Sequence, residues 1–167
     1  MSIPYIRPQP DPKASSLSIV SIRFRCIRPG CITYREDGTV FEDHQGHGKY
    51  MTVAGDRPRL YNTKALLEPS DIVCVTEGEL DAITATLCGK PAVGVPGVES
   101  WLPQFRVPLL GYETVYVLAD GDEPGRRFAN KVAGELPNAK VIPMPAGHDV
   151  NSLVLAEGWD ALLDRIR

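Results

Sequence analysis

Five carboxylates stand where apolar runs of the chain stop. Glu77 follows Ile72 to Thr76 and Asp81 lies four residues further on; Asp120 and Asp122 follow Thr114 to Ala119, and Asp149 comes after Lys140 to Pro143. Alternation across Asp120-Gly121-Asp122 points two carboxylates one way, with a glycine between them that leaves room for the backbone to turn. Acids gathered within a few ångströms repel one another unless a divalent cation offsets the charge, and hard carboxylate oxygens suit Mg²⁺ or Mn²⁺. The chemistry that needs such a cluster is phosphoryl transfer, where metal ions neutralise phosphate charge and place the attacking oxygen. Taken singly, an Asp-Gly-Asp is commonly a turn and a Glu ahead of a helix commonly answers the helix dipole. The ordered set, each member at the end of an expected strand, carries the inference.

The elements that would position these acids begin after Pro69, where apolar runs bounded by Gly, Pro and Asp alternate with helical patterns. That rhythm predicts an α/β fold with a parallel sheet flanked by helices, whose carboxyl edge is the ligand-binding edge. Strands are expected at Ile72 to Thr76, Ala92 to Val95, Thr114 to Ala119 and Lys140 to Pro143. A helix over Glu79 to Cys88 places Leu80, Ile83 and Leu87 on one face. A second helix after Pro124 buries Phe128, Val132 and Leu136, and Val150 to Arg167 is helical with Gly158 interrupting it. Upstream, Pro4, Pro8, Pro10 and Pro12 rule out a helix and predict an extended arm over 1–17. A small mixed α/β subdomain is expected over 18–68, with strands at Ile19 to Ile27, Thr39 to Phe41 and Lys49 to Val53, and the acidic domain over 69–167.

The chain has 167 residues and a net charge of −3, yet residues 1–66 carry a net +4 and residues 67–167 a net −7. A basic segment beside an acidic one suits polyanion binding next to metal binding. No apolar run approaches the roughly 18 residues of a membrane span, and the first twenty residues lack a signal-peptide pattern, so a cytoplasmic protein with no membrane contact is expected. The four cysteines do not form a disulfide framework and are expected to be reduced. Cys26-x4-Cys31-x12-His44-x2-His47 approaches a two-Cys, two-His zinc arrangement with a shortened His pair. The alternative is two cysteines flanking the Pro29-Gly30 turn and a His47 that merely occupies a glycine loop. Gly94-Val95-Pro96-Gly97 fits no nucleotide-binding fingerprint, Trp101 reads as a packing residue, and no Ser/His/Asp or Cys/His nucleophile arrangement stands out.

Over about residues 70–155 the sequence resembles the TOPRIM domain shared by topoisomerases, primases and some nucleases. Glu77-Gly78 matches its first motif and Asp81 the acid that primases carry four residues later. Asp120-Gly121-Asp122 with Gly125 matches the second, and Gly147-His148-Asp149-Val150-Asn151 resembles the primases' third, with His148 where Lys is usual. Gly48-Lys49-Tyr50, then Arg57, Arg59 and Leu60-Tyr61-Asn62, resemble the basic subdomain that precedes TOPRIM in bacterial and phage primases; the sequence is similar to small phage and actinobacterial TOPRIM proteins. The resemblance implies a primase catalytic core, a nucleotidyltransferase making RNA primers on single-stranded DNA from ribonucleoside triphosphates. It further implies Glu77, Asp81, Asp120 and Asp122 as catalytic residues, and Mg²⁺ or Mn²⁺ held by Glu77, Asp120, Asp122 and Asp149. Phosphate or template contacts fall to Lys49, Arg57 and Arg59, with Arg23 and Arg25 as weaker candidates. A replicative helicase or a separate template-reading module is an expected partner in DNA replication. The rival readings are a TOPRIM nuclease, which gives no reason for the Lys49 and Arg59 segments, and a noncatalytic metal- and nucleic-acid-binding module.

Overall fold

The computed structural model describes residues 1–8, 17–36 and 40–166. They fall into two compact units, Met1–Arg57 and Pro58–Arg167. The division lies upstream of the 68/69 boundary expected from composition.

In the first unit, β1 (Ser2–Pro8), β2 (Leu17–Arg25) and β5 (Tyr50–Thr52) form an antiparallel sheet in the order β1-β2-β5. The expected N-terminal arm is therefore a paired strand as far as Pro8; the rest of the arm, residues 9–16, lies outside the described residues. The prolines are tolerated because β1 is an edge strand, where one flank needs no N–H donor. Ile3 and Tyr5 are buried, and Met1 exchanges backbone hydrogen bonds with Arg25. β3 (Ile32–Tyr34) pairs with β4 (Val40–Glu42) in a separate two-stranded ribbon. The ribbon takes the place of the strand expected at Thr39 to Phe41, of which Thr39 is outside the described residues.

The second unit carries a four-stranded parallel sheet in the order β7-β6-β8-β9, made of β6 (Ile72–Glu77), β7 (Ala92–Val95), β8 (Thr114–Ala119) and β9 (Ala139–Pro143). β6, β7 and β8 are covered on both faces, which explains their continuous apolar runs, whereas β9 at the edge is largely exposed. Val73, Val75, Val115 and Val117 join Phe128 and Val132 of α2 (Glu123–Glu135) and Leu136, which caps its end, together with Trp101, Phe105 and Leu109. Cys74, Tyr116 and Leu118 on the other face meet α1 (Glu79–Leu87), α3 (Val150–Glu157) and α4 (Trp159–Leu163). Trp101 is accordingly a packing residue, as expected.

Two local readings are corrected here. α1 buries Ala82 and Ala85 against the sheet, whereas Leu87 is 66% exposed and Leu80 and Ile83 are half-buried. Small side chains let the helix approach the strands closely, so the apolar stripe expected to face the core is not the one that does. Leu60-Tyr61-Asn62, expected in the basic subdomain, belongs to the second unit. Leu60 joins its core, Tyr61 bridges Gly94 on the β7 edge, and the Asn62 side chain donates to the Ala92 carbonyl at 2.9 Å. No helix among the described residues is long and apolar enough to cross a membrane.

Candidate active site

The two central strands of the parallel sheet end side by side, Thr76 of β6 lying opposite Leu118 of β8. From β6 the chain runs through α1 to β7 on one side; from β8 it runs through α2 to β9 on the other. The strand order thus reverses between β6 and β8, and the crevice above their carboxyl ends is where open parallel sheets bind ligands. Glu77 is the last residue of β6 and Asp120 the first after β8, so both acids stand at that point. Gly78, at φ 123°, turns the chain sharply from β6 into α1, a conformation that favours glycine.

The remaining acids arrive on helix starts. Asp122 caps α2, its Oδ1 accepting from the Gly125 N–H at 2.8 Å. Asp149 caps α3 in a reciprocal box: its Oδ1 accepts from the Ser152 N–H at 2.6 Å while the Ser152 hydroxyl accepts from the Asp149 N–H at 3.0 Å. Each cap engages one carboxylate oxygen, so capping and a second role in the cleft are compatible. Gly125 sits tight against Asp120: a Cβ there would lie 2.6 Å from the Asp120 carbonyl oxygen and 2.7 Å from its Cβ. The Gly121 N–H donates to the His148 carbonyl at 2.8 Å, fastening the Asp-Gly-Asp turn to the loop ahead of α3. Between them lies a cavity of about 170 Å³ lined by Asp120, Gly121, Asp122, Gly147, His148 and Asp149.

The electrostatics are those of crowded acids. Burial, then the charges of Asp81, Glu77, Asp149 and Asp122, push Asp120 up to about 8. Burial, then Asp122 and Asp81, raise Glu77 to about 7. Asp81 is raised to about 7 by burial and Asp149, against the pull of the Asn151 N–H, which donates to its Oδ1 at 2.9 Å. Glu77 Oε2 and Asp120 Oδ1 are buried with no hydrogen-bond partner. Buried, unpartnered carboxylate oxygens amid like charges are hard donors of the kind that suit a divalent cation, though Glu77 is not among the residues lining that cavity.

Sequence reasoning passed over Glu79, which is almost wholly buried in the first turn of α1, and Ser152, which completes the Asp149 cap and lies 3.4 Å from His148 Nδ1. The acid-Gly-acid run Glu77-Gly78-Glu79 was the available signal for the first. The spacing Asp149-x-x-Ser152 was the available signal for the second.

Of the expected cationic residues, Lys49 is half-exposed and its Nζ lies 2.8 Å from Glu42 Oε2. Arg25 reaches Glu42 Oε1 at 3.4 Å. Burial pushes Glu42 up, but hydrogen bonds from Lys49 and His44 prevail and hold it below the usual carboxylate range. Arg23 and Arg25, alternate residues on β2, both stack on the Tyr50 ring, at 4.8 and 5.0 Å from its centroid. Arg57 and Arg59 are exposed, one at the end of the first unit and one at the start of the second. Cys26, Cys31, His44 and His47 converge in the first unit, with one potential ligand atom from each lying within 4.8 Å of all the others.

This parallel sheet with acids at its switch point is a Toprim-like fold: residues 74–154 match the family of that description. The chain belongs to the same family as the Gene 57 protein of Mycobacterium phage D29, with 51% identity over 166 residues that cover 99% of this chain and 97% of the relative. The fold is also that of primase catalytic cores. A DNA primase domain from Pseudomonas aeruginosa superposes with a TM-score of 0.64 at 22% identity, covering 96% of this chain and 55% of the other. The primase fragment of the bacteriophage T7 primase-helicase protein gives 0.62 at 21% identity, covering 89% and 58%. The chain spans a little over half the length of those two structures.

Proposed function

We propose that this protein is a primase-type nucleotidyltransferase that joins ribonucleotides on a single-stranded DNA template. The observation that carries this reading is the pair of buried, unpartnered oxygens on Glu77 and Asp120 at the switch point of a primase-like fold. Glu77, Asp120, Asp122 and Asp149 would hold Mg²⁺ or Mn²⁺, which when bound supplies charge neutralisation on the triphosphate and alignment of the attacking hydroxyl.

The protein's own groups do the rest. Glu77 serves either as a ligand of the ion or, where it is left uncoordinated, as the general base that accepts the proton of a primer 3′ hydroxyl as that oxygen attacks the α-phosphate and pyrophosphate departs. Asp81 acts as a positioning residue: its bond to the Asn151 N–H holds the start of α3, and with it Asp149, against α1. Lys49, and Arg57 or Arg59, are assigned contacts to phosphates of nucleotide or template. Arg23 and Arg25, stacked on Tyr50, shape the surface around Lys49. A replicative helicase or template-reading protein supplies the affinity that a chain of net charge −3 lacks.

The test is one reaction holding labelled single-stranded DNA and differently labelled ribonucleotides with Mn²⁺, with both labels followed. Template-dependent ribonucleotide products that vanish in Asp120→Asn support the proposal. Cleavage of the DNA without synthesis would replace it with the nuclease reading. Template binding with neither reaction, alone or with the host helicase, would leave a noncatalytic module.

A further inference from the structure

We propose that Cys26, Cys31, His44 and His47 form a structural zinc site within Met1–Arg57, separate from the acidic cluster. The backbone brings the four together. Cys26 follows β2 and its N–H donates to the Lys49 carbonyl at 2.9 Å; Cys31 ends a 3-10 turn and its carbonyl accepts from the Asp43 N–H at 2.9 Å. Both bonds draw the cysteine segments against the loop that carries the histidines. Donors around a tetrahedral Zn²⁺, at about 2.3 Å for sulfur and 2.0–2.1 Å for nitrogen, lie roughly 3.3–3.8 Å apart. His47 Nε2 stands 3.2 Å from the Cys26 sulfur and 3.6 Å from that of Cys31, close to that spacing before any ion draws them in.

The outer contacts select the ligand nitrogens. His47 Nδ1 lies 3.1 Å from the Gln45 carbonyl, which can only accept, so Nδ1 carries the proton and Nε2 presents its lone pair to the two sulfurs. His44 Nε2 lies 3.3 Å from Glu42 Oε2, which leaves Nδ1 as the bare nitrogen, and that atom is buried with no hydrogen-bond partner. A carboxylate or carbonyl behind each histidine is the usual support of a zinc ligand. Two thiolates and two neutral imidazoles balance the ion's charge, and this soft donor set favours zinc over Mg²⁺ or Mn²⁺.

The unit also has need of such a crosslink. Among its described residues only Ile3, Tyr5 and Cys26 are buried apolar side chains, too few for a core, and units of this size commonly depend on a metal or disulfides. Zinc would tie the end of β2, the 3-10 turn and the histidine loop into one piece. Through His44 it would also hold Glu42, the carboxylate that pairs with Lys49 and Arg25.

The experiment uses the full chain purified under reducing conditions, with zinc measured by elemental analysis and Co²⁺ substituted for optical spectra. One zinc per chain is expected, together with the visible bands of tetrahedral Co²⁺ and thiolate-to-metal charge transfer. The double variant Cys26→Ser with Cys31→Ser should fall below a tenth of the wild-type zinc. Glu42→Gln, which keeps all four ligands, should weaken zinc roughly 10-fold. His47→Cys should retain the metal with stronger charge transfer, and it decides the matter if the serine variants do not fold. A folded, reduced wild type that takes up no zinc, an octahedral Co²⁺ spectrum, or undiminished zinc in the double serine variant would overturn the proposal.

Discussion

Removing the charge of Asp120 should make the metal-free protein more stable, and the gain should depend on pH in one direction. Asp120 is raised from its ordinary 3.8 to about 8, by burial first and then by Asp81, Glu77, Asp149 and Asp122. A carboxyl that holds its proton more tightly when folded costs nothing below its unfolded pKa. Between about pH 4 and pH 8 the unfolded chain ionises first, so stability falls as pH rises, and the loss is complete above pH 8. At 1.36 kcal/mol per unit the ceiling is about 6 kcal/mol. Solvent reaches part of the carboxyl and neighbouring acids take up protons as it ionises, so roughly 2 kcal/mol is expected for Asp120→Asn at pH 8.5. That corresponds to a rise in melting temperature of roughly 8 °C for a unit of this size, shrinking toward zero near pH 4.5. Thermal melts in chelator across that pH range check it. An equal or lower melting temperature for Asp120→Asn at pH 8.5 would refute the reasoning. Mn²⁺ should stabilise the wild type, by about 2.7 kcal/mol at a hundred times its dissociation constant, and should do little for the variant.

Three further outcomes follow from the geometry. Gly125→Ala forces a Cβ against the Asp120 backbone, so it should cost roughly 1–3 kcal/mol and depress activity further by displacing that carboxylate, as melts and primer assays on one preparation would show. Asp122→Asn keeps the cap on the Gly125 N–H whereas Asp122→Ala loses about 1 kcal/mol; both should lose divalent-ion affinity, so equal stability but intact Mn²⁺ binding in Asp122→Asn would detach Asp122 from the metal. Lys49→Ala should weaken nucleotide use and lower the log-log salt slope of single-strand binding by roughly 0.7, with Mn²⁺ affinity unchanged; a slope equal to wild type would remove Lys49 from the phosphate contacts.

How much was legible depends on which force shaped each element. β6, β7, β8 and β9 were readable to within a residue at their ends; for β6, β7 and β8 the reason is that strands covered on both faces need unbroken apolar runs. α2 was readable through Phe128, Val132 and Leu136, large residues at helical spacing. The strand-end placement of Glu77 and Asp120 was readable because each stands where such an apolar run stops. α1 was misread because its contact face is made of Ala82 and Ala85, and closeness of approach leaves a weaker mark than bulk. β1 was hidden by its prolines, which a central strand excludes but an edge strand accepts. The placement of Leu60-Tyr61-Asn62 rests on backbone pairing with Gly94, to which side-chain pattern is blind. Asp122 and Asp149 were read as metal ligands and their capping was passed over, although the Asp149-x-x-Ser152 spacing was a signal for the second cap; in the folded chain each caps a helix.

That Glu77, Asp120, Asp122 and Asp149 together hold divalent cations is the condition on which the proposed chemistry depends. Diffraction from crystals soaked in Mn²⁺, recorded where manganese scatters anomalously, tests it most directly. Anomalous density is expected in the cleft lined by Asp120, Asp122 and Asp149, within bonding distance of Asp120 and lost in Asp120→Asn crystals. Manganese density elsewhere on the protein with none at that cleft, at saturating Mn²⁺ and pH 8.5, would contradict the assignment.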